Sequence, residues 1–254
     1  MQKDTVIGIG VLVVILAVIV GYAALKPIPV TTPGTITATN VLPTGGYIEH
    51  AQYYDITADY ATSTPLAEPA NTVAVTLMQN FVSDTITQFK TDGNFDNLTA
   101  KDITVMGFDQ GRKEMLRIMY LITAPARTVS YIFTTYADTL GAHGNMFFHT
   151  FTFDTKTGVL LSLADIFLPG TKYLDALSSI SRAKFPAVIG EFADMNFIEN
   201  GTTPDEKNFR NFFLVDRDLV ILFDPYAVAP YAAGPQTLRI PLSELSVILK
   251  PEYR

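Results

Sequence analysis

A run of twenty residues without a charged side chain, residues 6–25, constrains this chain more than any other feature of its sequence. A helix of that length is about 30 Å long, which matches the hydrocarbon core of a bilayer. A buried helix of a water-soluble domain would carry polar side chains along one face, whereas this run has none apart from Tyr22 near its end. The run therefore predicts a transmembrane helix.

The same run is either an uncleaved anchor or a signal peptide that is removed. A signal peptide has a shorter apolar region of about 7–15 residues, so the length favours the anchor, although Gly21 and Ala23 would permit cleavage. Lys3 lies on the short side of the run, and positive charge tends to stay in the cytoplasm. We therefore expect residues 1–5 to be a cytoplasmic tail and residues 26–254 to lie outside the cell membrane.

Residues 26–47 follow the apolar run and are rich in proline, threonine and glycine, without hydrophobic periodicity. This composition is typical of an extended linker. Proline-rich chains rise about 3.1 Å per residue, so the segment could hold a domain several tens of Å from the membrane. It is either a simple tether or a spacer that reaches into the cell wall.

Charge and cysteine content narrow the classes of partner. The formal net charge is −7 and the basic residues form no cluster, which argues against nucleic-acid binding. An acidic surface gives at most a weak preference for a cationic partner. The chain has no cysteine, which agrees with a domain large enough to fold without disulfide bonds.

Hydrophobic periodicity after the linker predicts strands and helices in alternation. We predict helices at residues 71–90, 172–185 and 243–249, with Asn71 as the cap of the first helix, Pro186 interrupting the second and another helix starting at Thr203. The predicted strands are residues 53–60, 103–108, 115–123, 129–136, 146–154, 212–215, 219–223 and 237–241.

The short turns between successive strands predict antiparallel pairing. The predicted fold class is therefore α+β, a mostly antiparallel sheet with helices packed on it, after one N-terminal transmembrane helix. Two units of a helix followed by strands suggest two subdomains, residues 48–140 and residues 141–254.

The loop at residues 224–234 is stiff and aromatic, because it contains Pro225, Tyr226, Pro230 and Tyr231 within eleven positions. Tyrosine has an apolar ring and a polar hydroxyl, which suits both a buried corner and a binding surface. The two tyrosines either fill the edge of a core or line a groove for a glycan or protein partner.

Catalytic patterns are weak. His143, His149 and Asp154 could supply metal ligands, but alternation along a regular strand would place His149 and Asp154 on opposite faces. There is no cysteine nucleophile and no serine in a nucleophile elbow. We therefore expect no metal, no cofactor and no enzymatic activity.

Several motifs together resemble the extracytoplasmic domain of RsiV-type anti-sigma factors, which also occurs in PdaC-type peptidoglycan deacetylases. The matching positions are Gly141, Ala142, His143, Asp154, Gly158, Leu163, Asp165, Phe167, Pro225, Tyr226, Pro230, Tyr231, Gly234, Ile240 and Pro241. Residues 50–135 resemble, more loosely, the N-terminal partner domain of that family. Leu140 stands where the family has a glycine, so the backbone of this turn is expected to differ.

The resemblance implies an ectodomain without an effector domain, and it implies function at the cell envelope. The first hypothesis is a membrane-anchored binding module for a wall-active protein such as lysozyme or for peptidoglycan. Its candidate binding residues are Tyr226, Tyr231, His143, Asp154 and Asp165. The alternatives are a glycan hydrolase or deacetylase-like enzyme that uses His143 and Asp154, and a structural surface protein.

Overall fold

The computed structural model describes residues 44–254. Across these residues the chain forms eight β-strands and four α-helices, and the predicted α+β class is confirmed. The strands are β1 Thr44–His50, β2 Tyr54–Ala61, β3 Glu114–Thr123, β4 Thr128–Asp138, β5 Asn145–Asp154, β6 Phe212–Val215, β7 Asp218–Phe223 and β8 Gln236–Pro241. The helices are α1 Ala70–Gly93, α2 Ala100–Met106, α3 Tyr173–Ile189 and α4 Met195–Gly201.

The first five strands form one sheet in the order β1-β2-β3-β4-β5. Neighbouring strands are antiparallel except for β2 and β3, which are parallel. The long connection between these two strands, which contains α1 and α2, makes the parallel pair possible, because a tight turn can only join antiparallel neighbours. The last three strands form a second, antiparallel sheet in the order β6-β7-β8.

Strand β7 is apolar at nearly every position because both of its faces are covered. Leu219, Ile221 and Phe223 belong to a core that also contains residues of α3. Val220 and Leu222 point the other way and pack with Ile132 of β4. Helix α1 covers the other face of the five-stranded sheet. The described residues therefore stack as α1, the five-stranded sheet, the three-stranded sheet and α3.

Polar groups also join the two sheets. The Thr152 hydroxyl donates to the Phe212 carbonyl oxygen at 3.0 Å, and the Phe212 N–H donates to the Thr150 hydroxyl at 3.0 Å.

The predicted subdomain boundary between residues 140 and 141 falls in the turn between β4 and β5, which pair along their lengths. The division into residues 48–140 and 141–254 stays a prediction.

The predicted strand at residues 103–108 is wrong. Residues Ala100–Met106 form helix α2, which begins with a capping box between Thr99 and Asp102. Gly107 ends it in a left-handed conformation with φ of 73°. The β-branched residues Ile103 and Val105 suggested a strand, but the cap at one end and the glycine at the other favour a helix.

The other differences concern the ends of elements. Helix α1 begins after Pro69, and the Asn71 side chain does not cap it but accepts from the Thr64 N–H at 2.7 Å. Pro186 does not interrupt the second helix, because α3 continues to Ile189. The predicted helices after Thr203 and at residues 243–249 are the single 3₁₀ turns Glu206–Phe209 and Leu242–Leu245.

The predicted linker ends earlier than residue 47, since β1 begins at Thr44 and pairs with β2. Strand β1 was missed because its glycines and small polar residues give little hydrophobic signal. The predicted tail, the predicted anchor at residues 6–25 and most of the linker lie outside the described residues. From residue 44 onward, each helix is too short or too polar to cross a bilayer.

Candidate functional site

The base of the loop at residues 224–234 is held by Asp224, directly after β7. One Asp224 carboxylate oxygen accepts from the Phe148 N–H of β5 at 2.8 Å. The other accepts from the Arg210 guanidinium at 3.1 Å. Burial raises the pKa of Asp224 despite both hydrogen bonds. This aspartate therefore attaches the loop to the five-stranded sheet.

Gly201, at the end of α4, supports the loop from another side. A Cβ atom at this position would lie 1.8 Å from the Ala227 carbonyl oxygen and 2.8 Å from a methyl group of Val228. The first of these is a backbone atom, so a side chain could fit only if the loop moved. Position 201 therefore requires glycine, which the sequence reading overlooked because the need arises from a distant backbone contact.

Tyr226 adopts an unusual backbone conformation within the loop. Its φ is 68°, in the left-handed region that residues with a side chain rarely occupy. The residue is 53% exposed. A strained conformation persists only where the surrounding structure holds it, and such residues concentrate at functional sites. The neighbouring Pro225 and the Asp224 anchor restrict the backbone that presents this ring.

Three rings meet beside the loop and form what we call the aromatic cluster, His143, Tyr226 and Tyr231. The His143 and Tyr231 rings stack with centroids 3.7 Å apart and planes 19° apart. The Tyr226 and Tyr231 centroids are 5.4 Å apart. The structure thus brings together three of the five predicted binding residues, although His143 lies more than eighty positions before the two tyrosines in the sequence.

Hydrogen bonds orient the cluster. The Tyr231 hydroxyl donates to the Gly144 carbonyl oxygen at 2.6 Å. His143 Nδ1 lies 3.1 Å from the same carbonyl oxygen, which can only accept, so the proton is assigned to Nδ1. In the neutral ring, Nε2 then accepts from the Tyr226 hydroxyl at 3.4 Å. The three rings are therefore fixed relative to one another and to the turn before β5.

That turn begins at Leu140, where the sequence departs from the glycine of the family pattern. Leu140 has a φ of 59°, which is the left-handed conformation that glycine adopts most easily. The Asp138 side chain accepts from the Leu140 N–H at 2.9 Å and holds this conformation. The turn that carries His143 is thus maintained by a side-chain hydrogen bond.

Asp154 lies at the end of β5 in a different network. Its side chain is 2% exposed and forms an ion pair with Arg127 at 2.6 Å. It also accepts from the Tyr253 hydroxyl at 2.9 Å and from two backbone N–H groups, those of Lys156 and Thr157. Burial alone would raise the pKa of Asp154, but the hydrogen bonds from Thr157, Tyr253 and Lys156 outweigh it and lower the pKa.

Asp165 forms a local cap. Its carboxylate accepts from the Ser162 hydroxyl at 2.6 Å and from the Ser162 N–H at 2.8 Å, at the start of the 3₁₀ turn Leu163–Ile166. Such a capping box satisfies backbone groups that the turn leaves free. The Leu-Ala-Asp-Ile segment of the motif therefore has a direct structural explanation.

His149 lies among aromatic rings. It stacks on Phe81 of α1 with ring centroids 4.6 Å apart. Desolvation of the ring, together with the nearby charge of Arg210, lowers the pKa of His149. In residues 44–254, no three histidine or acidic side chains are grouped as metal ligands.

The aromatic cluster can bind by stacking and by hydrogen bonding. The exposed Tyr226 ring offers an apolar face, and its hydroxyl can donate and accept. Sequence reasoning found the three rings but missed Asp224 and Gly201, which position the loop. The only local signal was an aspartate at the end of an apolar strand, before Pro225.

Comparison with known proteins relates part of the chain to a family. Residues 164–243 match the family described as "Protein of unknown function (DUF3298)". This segment contains Asp165, Tyr226 and Tyr231 but ends after β8 and begins after His143 and Asp154. The predicted RsiV-type assignment and the N-terminal partner domain stay predictions.

A curated relative is a Bacillus subtilis protein named peptidoglycan-N-acetylmuramic acid deacetylase PdaC. The two proteins are 33% identical over 143 residues, which is 56% of this chain and 31% of that protein. The chain therefore spans less than a third of the length of this relative.

Two solved structures share the fold of the chain. A DUF3298 family protein from Pseudomonas aeruginosa has a TM-score of 0.52 at 15% identity, covering 84% of this chain and 97% of the other. A DUF3298 family member from Bacteroides fragilis has a TM-score of 0.55 at 16% identity, covering 83% and 93%. This chain is thus similar in sequence to DUF3298 proteins over residues 164–243, and its fold resembles that of two solved members.

Proposed function

We propose that this chain is a non-catalytic binding module of the cell envelope that holds a wall-active protein such as lysozyme, or peptidoglycan itself. The aromatic cluster is the contact surface. The observation that carries the proposal is Tyr226, which is 53% exposed on a strained backbone and whose ring lies beside those of His143 and Tyr231. The similarity to the Bacillus subtilis protein, which is named a peptidoglycan deacetylase, supports a role at the wall.

The physical basis is pre-organisation. A tyrosine contact has few rotatable bonds, so little conformational entropy is lost when it binds. The stacking of Tyr231 on His143 and the Tyr231–Gly144 hydrogen bond reduce that loss further. Tyrosine is also among the residues that most often dominate the binding energy of an interface.

The proposal includes the location of the molecule. Residues 6–25 anchor it in the cell membrane, residues 26–43 act as a tether, and the folded part lies outside. A net charge of −7 favours a cationic wall-active protein by long-range attraction, mainly through the rate of association. Peptidoglycan would bind instead through ring stacking and hydrogen bonds.

The enzymatic alternative placed His143 and Asp154 in one active site. Two observations favour the binding module over it. His143 contacts Tyr226, Tyr231 and the Gly144 backbone, whereas the acceptor atoms of Asp154 are occupied by Arg127, Tyr253 and the backbone. We therefore leave Asp154 and Asp165 outside the proposed contact surface.

Retention of the full-length protein on isolated peptidoglycan and on immobilised lysozyme tests the proposal. We expect retention by at least one of them, and a loss of affinity of at least about tenfold for Tyr226→Ala, because a central aromatic contact is removed. Phe192→Ala is the matched control, since Phe192 is an exposed aromatic residue, 38% accessible, in the 3₁₀ turn Gly190–Phe192 after α3.

Two results would contradict the proposal. Absence of retention on both matrices would refute the binding function itself. Equal weakening by Tyr226→Ala and Phe192→Ala would mean that binding does not use the aromatic cluster. Thermal melts of both variants identify any loss that comes from unfolding.

A further inference from the structure

A separate cleft lies between helix α1 and the five-stranded sheet. Its volume is about 730 Å³, and it opens to solvent along the C-terminal half of α1. The helix contributes Phe81, Asp84 and Asp92, and the sheet contributes Glu114 and Phe147. Cavities of roughly 300–1,000 Å³ are typical of small-molecule sites.

The charges around the cleft all have the same sign. Its lining contains three carboxylates, Asp84, Asp92 and Glu114, and no lysine, arginine or histidine. Lys90, on the same helix, is engaged elsewhere in an ion pair with Glu49 at 2.5 Å. Asp138 is close enough to Glu114 to add to the negative potential there. The electrostatic field of the cleft therefore favours a cation.

Glu114 has an acidic side chain whose position in the fold is not explained by packing or by pairing with a neighbour. It is 6% exposed and lines the cleft, where its carboxylate is accessible, and among residues 44–254 this carboxylate forms no hydrogen bond or ion pair. A carboxylate that is mostly withdrawn from water and has no partner is unfavourable, and acids of this kind are normally paired. Because Glu114 lines the cleft, a cationic group bound there would supply the missing partner.

The geometry of the rim indicates the shape of the cation. Asp84 and Asp92 are eight positions apart on one helix, which places them about 12 Å apart along its axis. Two carboxylates at that separation cannot share one metal ion, whereas they can each pair with one end of an elongated ligand. Gln88 lies between them and donates to Asp92 at 2.6 Å.

The apolar part of the lining fits the same ligand. Phe147 is 50% exposed, although it is a large apolar residue, and it lines the cleft together with Phe81 and Phe89. Aromatic rings attract ammonium groups and also cover methylene chains. A ligand with charged ends and an aliphatic body would use both kinds of surface.

We propose that this cleft binds a linear aliphatic polyamine. One ammonium group pairs with Glu114 inside the cleft, the others pair with the rim carboxylates Asp84 and Asp92, and the methylene chain lies along the phenylalanine rings. This site is distinct from the aromatic cluster, and its existence does not depend on the function proposed for that cluster.

Isothermal titration calorimetry of the full-length protein in a non-ionic detergent, with spermidine as the probe, tests the site. We expect saturable binding that weakens as sodium chloride is added, because salt screens the ion pairs. Glu114→Gln should weaken binding by at least about tenfold, since it removes the most buried charge. Asp84→Asn, at the exposed rim, should weaken it about twofold to fivefold.

Glu191→Gln is the control, because it makes the same chemical change at an exposed glutamate outside the cleft, and it should leave binding unchanged. If Glu114→Gln does not fold, the double variant Asp84→Asn/Asp92→Asn tests the site from the exposed face of α1. Absence of saturable spermidine binding would overturn the proposal. So would equal affinities of wild type and Glu114→Gln, or saturable binding of calcium in place of spermidine.

Discussion

Asp154 illustrates how a residue that belongs to a motif can serve the fold. It accepts from Arg127, Tyr253, Lys156 and Thr157, and thereby joins the turn after β5 to the C-terminal 3₁₀ turn Pro251–Tyr253. Burial, together with the hydrogen bond to Asp154, raises the pKa of Tyr253 to about 12. The chemistry of this position is therefore explained by packing of the C-terminal 3₁₀ turn against β5.

Asp154→Asn should lower the free energy of unfolding at pH 7 by about 3 kcal/mol, because an amide cannot replace the buried carboxylate, which accepts from Arg127, Tyr253 and two backbone N–H groups. The pKa of Asp154 is lowered in the folded state, so its contribution is complete above the unfolded value of 3.8 and is lost as the pH falls through the folded value. Denaturant titrations at several pH values measure the difference between wild type and variant.

Tyr253→Phe is the graded control for this network. It removes one hydrogen bond and leaves the Asp154–Arg127 pair in place, so it should cost only about 1 kcal/mol. An Asp154→Asn variant as stable as wild type at pH 7, or a difference that grows as the pH falls, would contradict the account of Asp154.

At the scale of elements, the loop at residues 224–234 depends on helix α4. Gly201→Ala places a methyl group where the Ala227 carbonyl oxygen lies, so the loop must shift. We expect a loss of about 1–3 kcal/mol of stability, as for other overpacked sites, and weaker retention on the ligands of the aromatic cluster. Unfolding curves and the retention assay measure the two effects.

Gly46→Ala is the matched comparison, because a Cβ atom at Gly46 would have no neighbour within 4 Å. It should change stability by less than about 0.5 kcal/mol, as is usual for an exposed surface position. If Gly201→Ala and Gly46→Ala behave alike, the loop does not rest on α4 in the way described.

Helix α2 shows where hydrophobic alternation predicts the wrong type of secondary structure. Ile103 and Val105 carry a β-type pattern, yet Thr99 and Asp102 cap a helix whose end is set by Gly107. Alternating apolar residues over six positions fit a short helix as well as a strand, so the capping residues determine which of the two forms.

By contrast, strands β4, β5, β7 and β8 were predicted within about two residues. A long alternating or apolar run between two turns is compatible with few structures other than a strand.

At the scale of the whole molecule, the contact between the two sheets decides whether the fold acts as one unit. Ile132 of β4 is 6% exposed and packs with Val215, Val220 and Leu222 of the other sheet. Hydrogen bonds from Thr152 and Phe212 cross the same contact. The two sheets should therefore unfold together.

Ile132→Ala should lower the free energy of unfolding by about 3 kcal/mol, because it leaves a cavity at this contact. We expect hydrogen-exchange protection to fall by the same amount in β3 and in β7, one strand from each sheet. Ile48→Ala, at a position in β1 that is 68% exposed, should change neither. Loss of protection in only one sheet would instead favour two independently unfolding subdomains.

The sequence alone determined the α+β class, most of the strands and the identity of the rings in the aromatic cluster, because local periodicity and turn chemistry act between near neighbours. Only the tertiary structure shows that the His143 ring contacts the rings of Tyr226 and Tyr231. Only the tertiary structure shows that Asp154 forms an ion pair with Arg127 and accepts a hydrogen bond from Tyr253. It also decided that Glu114 is buried at a cleft without a partner among the described residues. These arrangements depend on contacts between positions tens of residues apart, for which spacing along the chain carries no signal.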